Sequence, residues 1–367
     1  MKKVLLVFGT RPEAIKMAPL VIELKKQKSL DVKVCITAQH REMLDQVMDV
    51  FNIKSDYDLN IMKKGQTLTD ITSAVLEGVD EVIQEYIPDI VLVHGDTTTS
   101  MAASMAAFYN KKIIGHVEAG LRTYNKYSPY PEEINRQIVD QLADMYFAPT
   151  KQSEINLINE GRDKDKIHIT GNTVIDAMKY TIDNKFSDDI IDWVGKDNHM
   201  ILVTTHRREN IGKPMENIFT AINKLTNSFS NLRFVFPMHY NPQVRELAIK
   251  FMGNNNKVKL IEPLDVDKFH NYMKQSYLIM TDSGGIQEEA PSLGKPVLVL
   301  RNTTERPEGV EAGTLKLVGT DTEDIIYAVS ELVKNTDSYN KMSKAINPYG
   351  DGTACKKIAD VIVKNSI

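Results

Sequence analysis

The sequence predicts an α/β protein built from two Rossmann-like domains. Short apolar runs rich in Val and Ile recur along the chain with helical patterns between them, and the series starts again after a break. Because the runs are continuous rather than alternating, they are typical of parallel strands covered by helices on both faces. The length of 367 residues also exceeds the roughly 250–300 residues at which single cores stop growing.

Eleven apolar runs are the predicted strands: KVLLVF, VKVCIT, DIVLVH, KIIGHV, MYFAPT and IHIT in the first series, and MILVTT, LRFVFP, VKLIE, YLIMT and PVLVL in the second. Segments such as EAIKMAPLVIELKKQ and TLTDITSAVLEGVDEVIQEY have helical spacing. The stretch 184–198 lacks this rhythm. We therefore predict a first domain over residues 1–183, a second over 184–352, a cleft between them, and a C-terminal helix over 353–367 that packs back on the first domain.

Charge and composition exclude several classes of protein. Lys and Arg number 45 against 49 Asp and Glu, a net charge of −4, whereas nucleic-acid binders normally carry a basic excess. The longest apolar stretches are far shorter than the ~20 residues of a membrane-spanning helix. No signal peptide is visible, and the only two cysteines, Cys35 and Cys355, provide no disulfide framework. A cytoplasmic protein that binds neither nucleic acid nor membrane is expected.

Missing motifs narrow the chemistry further. The sequence contains no P-loop, and only one glycine stands where a dinucleotide-binding G-x-G-x-x-G motif needs three. None of the 14 tyrosines is followed by Lys four residues later, so the Tyr–Lys pair of NAD-dependent sugar epimerases is absent. The eight histidines show no HxxxH or HExxH spacing. No NAD and no metal is predicted.

Two cations and a carboxylate stand near the ends of predicted strands in the first half. In FGTRPEAIK, Arg11 and Lys16 lie around a helix N-terminus that follows the first strand, where open α/β sheets bind ligands and anions are favoured. Solvated surface positions are the alternative. Asp96, in VLVHGDTTTS, lies between a strand and a helix. For this residue a helix N-cap is the competing interpretation.

Further carboxylates follow at the next strand and helix. Glu118, in HVEAGLRT, ends a predicted strand, and in SPYPEEINR the first helical turn after Pro131 contains Glu132 and Glu133. Favourable interaction with the helix dipole is the alternative role for this pair. Because Asp96 and Glu118 both follow parallel strands, their side chains are expected to cluster at one edge of the sheet.

The second half begins with a histidine beside two cations. His206 ends the first strand of that half and is followed by Arg207 and Arg208. This positive surrounding suits phosphate oxygens, although a lone histidine is more often structural.

A glycine pair gives the strongest single indication of an anion site. In MTDSGGIQEEA, Ser283, Gly284 and Gly285 open a helix, and Glu289 follows about one turn later. Glycines allow a phosphate to approach backbone N–H groups, and Glu289 has the chemistry to accept hydrogen bonds from ribose hydroxyls. Arg306 lies in a downstream loop, with a plain surface arginine as the alternative.

Together these segments resemble the bacterial non-hydrolysing UDP-N-acetylglucosamine 2-epimerases from Lys3 to about Gly352. The resemblance is carried by FGTRPEAIKMAPL, TAQHREMLDQV, DYDLNIM, VLVHGDTTT, GHVEAGLRT, YSPYPEEINR, ITGNTVIDA, HRREN, MTDSGGIQEEAPSLGKPVL, TTERPEG and NPYGDG. It implies a glycosyltransferase-B type fold and a homodimer. It implies catalytic roles for Asp96, Glu118, Glu132 and His206. It implies substrate contacts from Arg11, Lys16, Ser283, Gly284, Gly285, Glu289 and Arg306.

Some members of that family hold a second UDP-N-acetylglucosamine as an activator. The positions matching such a candidate activator site are Gln39, His40, Glu42, Arg207 and His239. Glu42 stands where some activated members have Gln, so the sequence leaves activation open.

The resemblance implies reversible epimerisation at carbon 2, by elimination of UDP to a 2-acetamidoglucal and re-addition. The product would supply surface polysaccharide or teichoic acid. The sequence leaves open which carboxylate acts as base and which as acid. Three alternatives remain: a UDP-sugar glycosyltransferase of the same fold, a hydrolysing epimerase, and a non-catalytic UDP-sugar sensor. The set Asp96, Glu118 and Glu132 favours elimination over transfer. These three residues together with His206 argue against the sensor.

Overall fold

The chain forms two compact units, each with one parallel sheet between helices. The computed structural model describes residues 1–38 and 41–364. The first unit comprises Met1–Tyr180 and Tyr349–Ile367, and the second comprises Thr181–Pro348. The predicted α/β fold with two parallel sheets is confirmed.

The first sheet has seven strands in the order β3-β2-β1-β4-β5-β6-β7. The strands are β1 Lys2–Phe8, β2 Leu30–Ile36, β3 Tyr57–Asp58, β4 Ile90–His94, β5 Ile113–Val117, β6 Met145–Ala148 and β7 Ile167–Ile169. The helices between and after them are α1 Arg11–Lys25, α2 Arg41–Val50, α3 Leu68–Tyr86, α4 Thr98–Tyr109, α5 Glu132–Leu142, α6 Lys151–Asn159 and α7 Thr173–Thr181.

The second sheet has six strands in the order β10-β9-β8-β11-β12-β13. The strands are β8 His199–Thr204, β9 Leu232–Pro237, β10 Val258–Ile261, β11 Leu278–Thr281, β12 Val297–Val299 and β13 Leu315–Leu317. The helices are α8 Asp189–Val194, α9 Lys213–Ser228, α10 Pro242–Met252, α11 Val266–Gln275, α12 Gly284–Glu289, α13 Pro307–Glu311, α14 Thr322–Lys334 and α15 Thr336–Ser343.

In each sheet the order in which strands are added reverses at the first strand of the unit. In the first unit β1 pairs with β2 on one side and β4 on the other. In the second unit β8 lies in the same way between β9 and β11. Ligands of open α/β sheets bind beyond the carboxyl ends of the strands at such a switch point. Each unit therefore has one preferred place for a site, after β1 and β4 or after β8 and β11.

Strand β1 shows why the apolar runs are continuous. Its residues from Val4 to Phe8 are fully buried. Val4, Leu6 and Phe8 belong to one apolar cluster, whereas Leu5 and Val7 belong to another. Because alternate side chains point to opposite faces of a strand, both faces of β1 must be covered by helices.

None of the helices in the described residues combines the length and the apolar character that a membrane-spanning helix needs.

The C-terminal helix, α16 Ala354–Lys364, packs in the first unit. Its buried Ile358 and Ile362 join the same apolar cluster as Met17 and Leu20 of α1. Asp176 of α7 accepts hydrogen bonds from the N–H groups of Ala354 and Cys355, at 3.1 and 3.2 Å.

The units divide a few residues before the predicted positions, at 180/181 and 348/349 rather than 183/184 and 352/353. Local hydrogen bonds explain both shifts. Asn271 of the second unit binds the carbonyl of Thr181 and the N–H of Asp183, at 2.9 and 2.8 Å. The carbonyl of Tyr349 accepts a bond from the N–H of Asn172, at 2.7 Å. The stretch 184–198 lies within the second unit and contains α8.

Candidate active site

A cavity of about 370 Å³ lies at the switch point of the first unit, beyond the carboxyl ends of β1, β4 and β5. It brings together Asp96, Glu118, Glu132 and Lys16, all of them predicted site residues. Arg11 is the first residue of α1 but is not among the lining residues. The lining residues are Thr10, Pro12, Glu13, Lys16, Leu68, His94, Gly95, Asp96, Thr97, Thr98, Glu118, Pro131, Glu132 and Asn135.

Glu118 is held from several directions. Lys16 Nζ lies 2.6 Å from Glu118 Oε1 and 2.7 Å from Oε2, and Asn172 Nδ2 donates to Oε1 at 3.1 Å. Burial alone raises the pKa of the Glu118 carboxyl, but the charges of Lys16 and then His94 outweigh it, and the pKa lies well below its usual value. Its φ of +68° is unusual for a residue with a side chain. The site therefore holds Glu118 as a carboxylate.

His94 is a pocket residue that the sequence analysis did not single out. It is 4% exposed, and its Nε2 lies 2.9 Å from Glu118 Oε2. The contact is close but is not aligned as a hydrogen bond. Its position could have identified it from the sequence, because His94 is the last residue of a buried strand. Ligands bind at that edge of the sheet.

Asp96 is not the N-cap of the helix that follows it. The Thr97 hydroxyl caps α4, accepting from Ser100 N–H at 3.0 Å. The Asp96 carboxylate instead accepts from Arg136 Nη2 at 2.5 Å, and Asn135 Nδ2 donates to the Asp96 carbonyl at 2.9 Å. Arg136 and Asn135 were not identified from the sequence, although they lie one helical turn after Glu132 on α5.

Glu132 and Glu133 begin α5 as predicted, but they have different environments. Glu133 is fully buried and accepts from the N–H groups of Thr123 and Tyr124, both at 3.0 Å. Its role is to hold the preceding loop. Glu132 lines the cavity, and its buried Oε2 has no hydrogen-bond partner among the described residues. Because buried polar atoms are normally paired, this oxygen retains unused hydrogen-bonding capacity.

Glu13 connects the first turn of the sheet to α4. This buried carboxylate accepts from the N–H groups of Gly9 and Thr10, at 3.1 and 2.8 Å. It also accepts from the hydroxyls of Thr97 and Ser100, at 2.7 and 3.0 Å. Because these partners belong to the loop after β1 and to the start of α4, Glu13 fixes the two walls of the cavity relative to each other. Thr97 and Ser100 are distant from Glu13 in the sequence, so sequence spacing does not reveal these contacts.

In the second unit, a buried carboxylate shapes the loop after β8. Asp282, fully buried, accepts from the Thr205 hydroxyl at 2.8 Å. It also accepts from the backbone N–H groups of His206 and Arg207, both at 2.9 Å, and from Asn210 Nδ2 at 2.9 Å. The sequence analysis did not identify this role. Asp282 follows β11, so it joins the two strands of the switch point and positions His206.

His206 is a neutral base in this environment. Its ring stacks on that of His239, with centroids 5.1 Å apart and an interplanar angle of 10°. Burial lowers the pKa of His206; Asp282 opposes this shift, while His239 and Arg207 add to it, and the pKa lies below its ordinary value. A neutral imidazole that is ready to take up a proton suits an incoming anion.

Gly284 lies beside two guanidinium groups. A methyl group added to Gly284 would lie 3.7 Å from Arg306 Nη2 and 3.8 Å from Arg207 Nη2. The Arg306 Nε atom donates a short hydrogen bond to the buried carboxylate of Glu288, which fixes the guanidinium. The backbone of Gly284 therefore faces a space bordered by two cations, as the predicted anion site requires.

The remaining predicted residues of this site lie nearby. Ser283 precedes α12 and its N–H donates to the Thr281 hydroxyl at 2.9 Å. A methyl group on Gly285 would lie 3.3 Å from Glu289 Oε1. Glu289 Oε2 is 3.3 Å from Nε2 of the buried His270. The structure thus brings Ser283, Gly285 and Glu289 together with Gly284 around one helix start.

The candidate activator residues are only partly described. Gln39, His40 and the side chain of Glu42 lie outside the described part of the structure. Arg207 and His239 belong to the second unit and both lie close to His206.

The arrangement of the described His, Cys, Asp and Glu side chains bears on metal binding. Within residues 1–38 and 41–364, no three His, Cys, Asp or Glu side chains form a group that could hold a metal ion. Of the cavity carboxylates, Glu118 is paired with Lys16 and Asp96 with Arg136.

Known proteins match this chain over nearly its whole length. The family described as UDP-N-acetylglucosamine 2-epimerase matches residues 22–363. A UDP-N-acetylglucosamine 2-epimerase of Bacillus subtilis is 59% identical over 361 residues, which are 98% of this chain and 95% of that protein.

Two solved structures are similar over nearly the whole chain. S. aureus MnaA, solved with UDP, is 55% identical with a TM-score of 0.90, covering 99% of this chain and 96% of that one. The Neisseria meningitidis UDP-GlcNAc 2-epimerase, solved with UDP-GlcNAc, is 51% identical with a TM-score of 0.88, covering 99% of this chain and 100% of that one. With matches of this identity and coverage added to the family match, the chain belongs to the UDP-N-acetylglucosamine 2-epimerase family.

Proposed function

We propose that this enzyme interconverts UDP-N-acetylglucosamine and UDP-N-acetylmannosamine by inverting carbon 2, without releasing free sugar. The observation that carries the proposal is the cavity of the first unit, where Asp96, Glu118 and Glu132 line one space with Lys16 and His94. Family membership supports it, as do relatives solved with UDP and with UDP-GlcNAc.

The chemistry requires elimination before proton exchange. The hydrogen on carbon 2 is not acidic, so the bond from carbon 1 to oxygen breaks first and its electron pair leaves with UDP. Carbon 2 of the resulting oxocarbenium-like sugar then loses its proton, which gives 2-acetamidoglucal. Protonation on the opposite face and return of UDP complete the inversion. The electron pair leaves and returns with UDP, so the proposed reaction needs neither NAD nor a metal.

The carboxylates of the first unit suit the sugar half of this reaction. Glu118, kept ionised beside Lys16 and His94, can stabilise the cationic carbon. Removal and return of a proton on opposite faces of carbon 2 need two groups. Asp96 follows β4 and Glu132 begins α5, so different elements present them to the cavity. Glu132 lines the cavity and its Oε2 is unpartnered among the described residues, so this carboxylate has hydrogen-bonding capacity left for the sugar.

The second unit suits the nucleotide half. The backbone of Gly284 beside Arg207 and Arg306 offers N–H groups and two cations for a diphosphate. His206, neutral in the free protein, can take up a proton as UDP leaves. By resemblance to the family, Glu289 is proposed to bind the ribose hydroxyls and Arg11 to contact a phosphate.

The enzyme is further proposed to be a cytoplasmic homodimer whose product supplies surface polysaccharide or teichoic acid. Resemblance to the family supports this assembly and role. Light scattering on the purified protein tests the dimer: a mass of twice 41.4 kDa is expected, and a monomer at micromolar concentration would contradict it.

The reaction is tested by incubating purified protein with UDP-N-acetylglucosamine and following the sugars by proton NMR. A stable mixture of the two UDP-sugars without free sugar is the expected result. Free N-acetylmannosamine with UDP would instead identify a hydrolysing epimerase. Substrate that binds but stays unchanged would leave a glycosyltransferase or a sensor, which acceptor screening separates. An Asp96→Asn preparation purified in parallel controls for contaminating enzymes.

A further inference from the structure

A fully buried histidine beside the cavity faces two hydrogen-bond acceptors. His116 lies on β5 and is completely inaccessible to solvent. Its Nδ1 is 2.6 Å from Oδ1 of Asp140, and its Nε2 is 2.8 Å from the carbonyl oxygen of Gly95. A carbonyl oxygen cannot donate, so Nε2 must carry a proton to make its hydrogen bond.

The protonation of Nδ1 depends on Asp140, which the structure holds as a carboxylate. Its second oxygen, Oδ2, is 2.8 Å from Arg122 Nη2 and accepts from Gly120 N–H at 3.2 Å. Burial alone raises the pKa of Asp140, but His116 and Arg122 outweigh it and the pKa lies below its ordinary value. An ionised Asp140 can only accept from Nδ1–H, so the hydrogen-bond geometry favours protons on both ring nitrogens of His116.

The resulting charges balance within the cluster that His116, Asp140, Arg122 and Glu160 form. The imidazolium and Arg122 are cations; Asp140 and Glu160 are anions. Glu160 accepts two hydrogen bonds from Arg122, at 2.7 and 2.6 Å. A buried charge is tolerated where opposite charges and hydrogen bonds surround it. The cluster meets that condition, with two cations and two anions.

The partners of His116 lie on the segments that carry the three cavity carboxylates. Gly95, with φ +63°, immediately precedes Asp96. His116 itself is two residues before Glu118 at the end of the same strand, and Asp140 belongs to α5, the helix that Glu132 begins. One side chain therefore joins the turn after β4, the end of β5 and helix α5.

We propose that His116 is a positioning residue: as a buried imidazolium it holds Asp96, Glu118 and Glu132 in register around the cavity. The kinetic part of this inference rests on the proposed epimerase function, whereas the protonation state does not. His116 is separated from the cavity by the Gly95 backbone and does not line it. Its effect on the reaction is therefore geometric, through the segments that it ties together.

The protonation state is tested on the wild-type protein, with or without activity. Protein labelled with ¹⁵N at histidine is examined by long-range proton–nitrogen NMR at neutral pH, and the His116 signals are assigned by their loss in His116→Gln. Two protonated ring nitrogens, slow to exchange with solvent, are expected. A ring nitrogen without a proton would overturn the inference. If His116→Gln does not fold, Asp140→Asn provides the assignment, since it shifts the same signals.

The positioning role is tested by kinetics. His116→Gln leaves an amide that cannot donate from both ends, and Asp140→Asn removes the charge that requires Nδ1–H. Each is expected to lower kcat roughly 10- to 100-fold, the scale on which displaced catalytic groups act, with KM changed less than about threefold. The double variant is expected to lose little more than the worse single variant, because the two residues act as a unit.

A matched control separates positioning from loss of stability. Val79→Ala shortens a fully buried side chain of α3 in the same unit without touching the cluster, so it is expected to lower thermal stability but keep kcat. Unchanged kcat in His116→Gln, an equal loss in Val79→Ala, or additive losses in the double variant would each overturn the positioning role. Absence of turnover in the wild type would contradict the proposed function instead, and the NMR result would still decide the state of His116.

Discussion

The ammonium group of Lys16 lies 2.6 and 2.7 Å from the two carboxylate oxygens of Glu118. The two residues are 102 positions apart. Their contact joins helix α1 to the end of β5. A pair this deep, with side chains 18% and 7% exposed, keeps Glu118 charged. Glu118 thereby offers a permanent negative charge where the proposed reaction develops a positive one.

Amide substitution of the cavity carboxylates should abolish most turnover. Glu118→Gln or Asp96→Asn is expected to lower kcat about 100-fold or more, because charge stabilisation and proton transfer at carbon 2 are lost. Affinity for UDP, measured by calorimetry, should stay within about threefold, since the proposed diphosphate contacts lie in the second unit. Near-normal turnover in both variants would remove these residues from the mechanism.

Filling the space at Gly284 should weaken nucleotide binding without disturbing the fold. The methyl group of Gly284→Ala would meet Arg306 and Arg207 only at ordinary van der Waals distance, and alanine favours a helix more than glycine does. The same methyl would block a phosphate from the backbone N–H groups. Loss of one charge-assisted hydrogen bond predicts about a tenfold or larger rise in Kd for UDP, with thermal stability unchanged. Unaltered UDP affinity would place the diphosphate elsewhere.

The binding of UDP should be linked to proton uptake by His206. Its pKa lies below the ordinary value of about 6.5 in the free protein, and a nearby diphosphate would raise it. Protonation then favours the complex, so UDP affinity should increase as the pH falls from 8 towards the pKa of free His206. Calorimetry across this range tests the slope.

UDP itself also takes up protons in this range, so His206→Asn is the control for that measurement. The variant should retain only the contribution of the nucleotide. Identical pH profiles for wild type and His206→Asn would show that His206 does not sense the phosphate.

The C-terminal helix should contribute substantially to the stability of the first unit. Ile358→Ala removes a fully buried side chain that packs in the cluster around α1, for which a loss of roughly 2–5 kcal/mol is typical. Val363→Ala, on the same helix but 39% exposed, should change the free energy of unfolding by less than about 0.5 kcal/mol. Urea unfolding of both variants measures the difference, and equal losses would contradict the packing.

The sheets were largely predictable because burial on both faces leaves a strong local signal. The run KVLLVF corresponds to β1, whose consecutive side chains enter two different clusters. The short edge strands Tyr57–Asp58 and Leu315–Leu317 were not predicted. Each has a neighbour on one side only, and two or three residues are too few to show a pattern.

The cavity carboxylates were predictable for a related reason: neighbouring parallel strands end at one edge of a sheet. Their supporting residues were not. Asn172 reaches Glu118 across 54 positions, and Glu13 bonds to Ser100 across 87, so no spacing in the sequence marks either pair. Asp96 was a candidate N-cap for the helix after β4, and the structure shows that Thr97 is the cap instead.

The most direct test of the proposed mechanism is the fate of the carbon 2 hydrogen in D₂O. The wild-type protein is incubated with UDP-N-acetylglucosamine and the products are followed by proton NMR. Elimination and re-addition predict UDP-N-acetylmannosamine with deuterium at carbon 2 and no free sugar. UDP-N-acetylmannosamine that retains the original hydrogen at carbon 2 would contradict proton exchange with solvent through the cavity carboxylates.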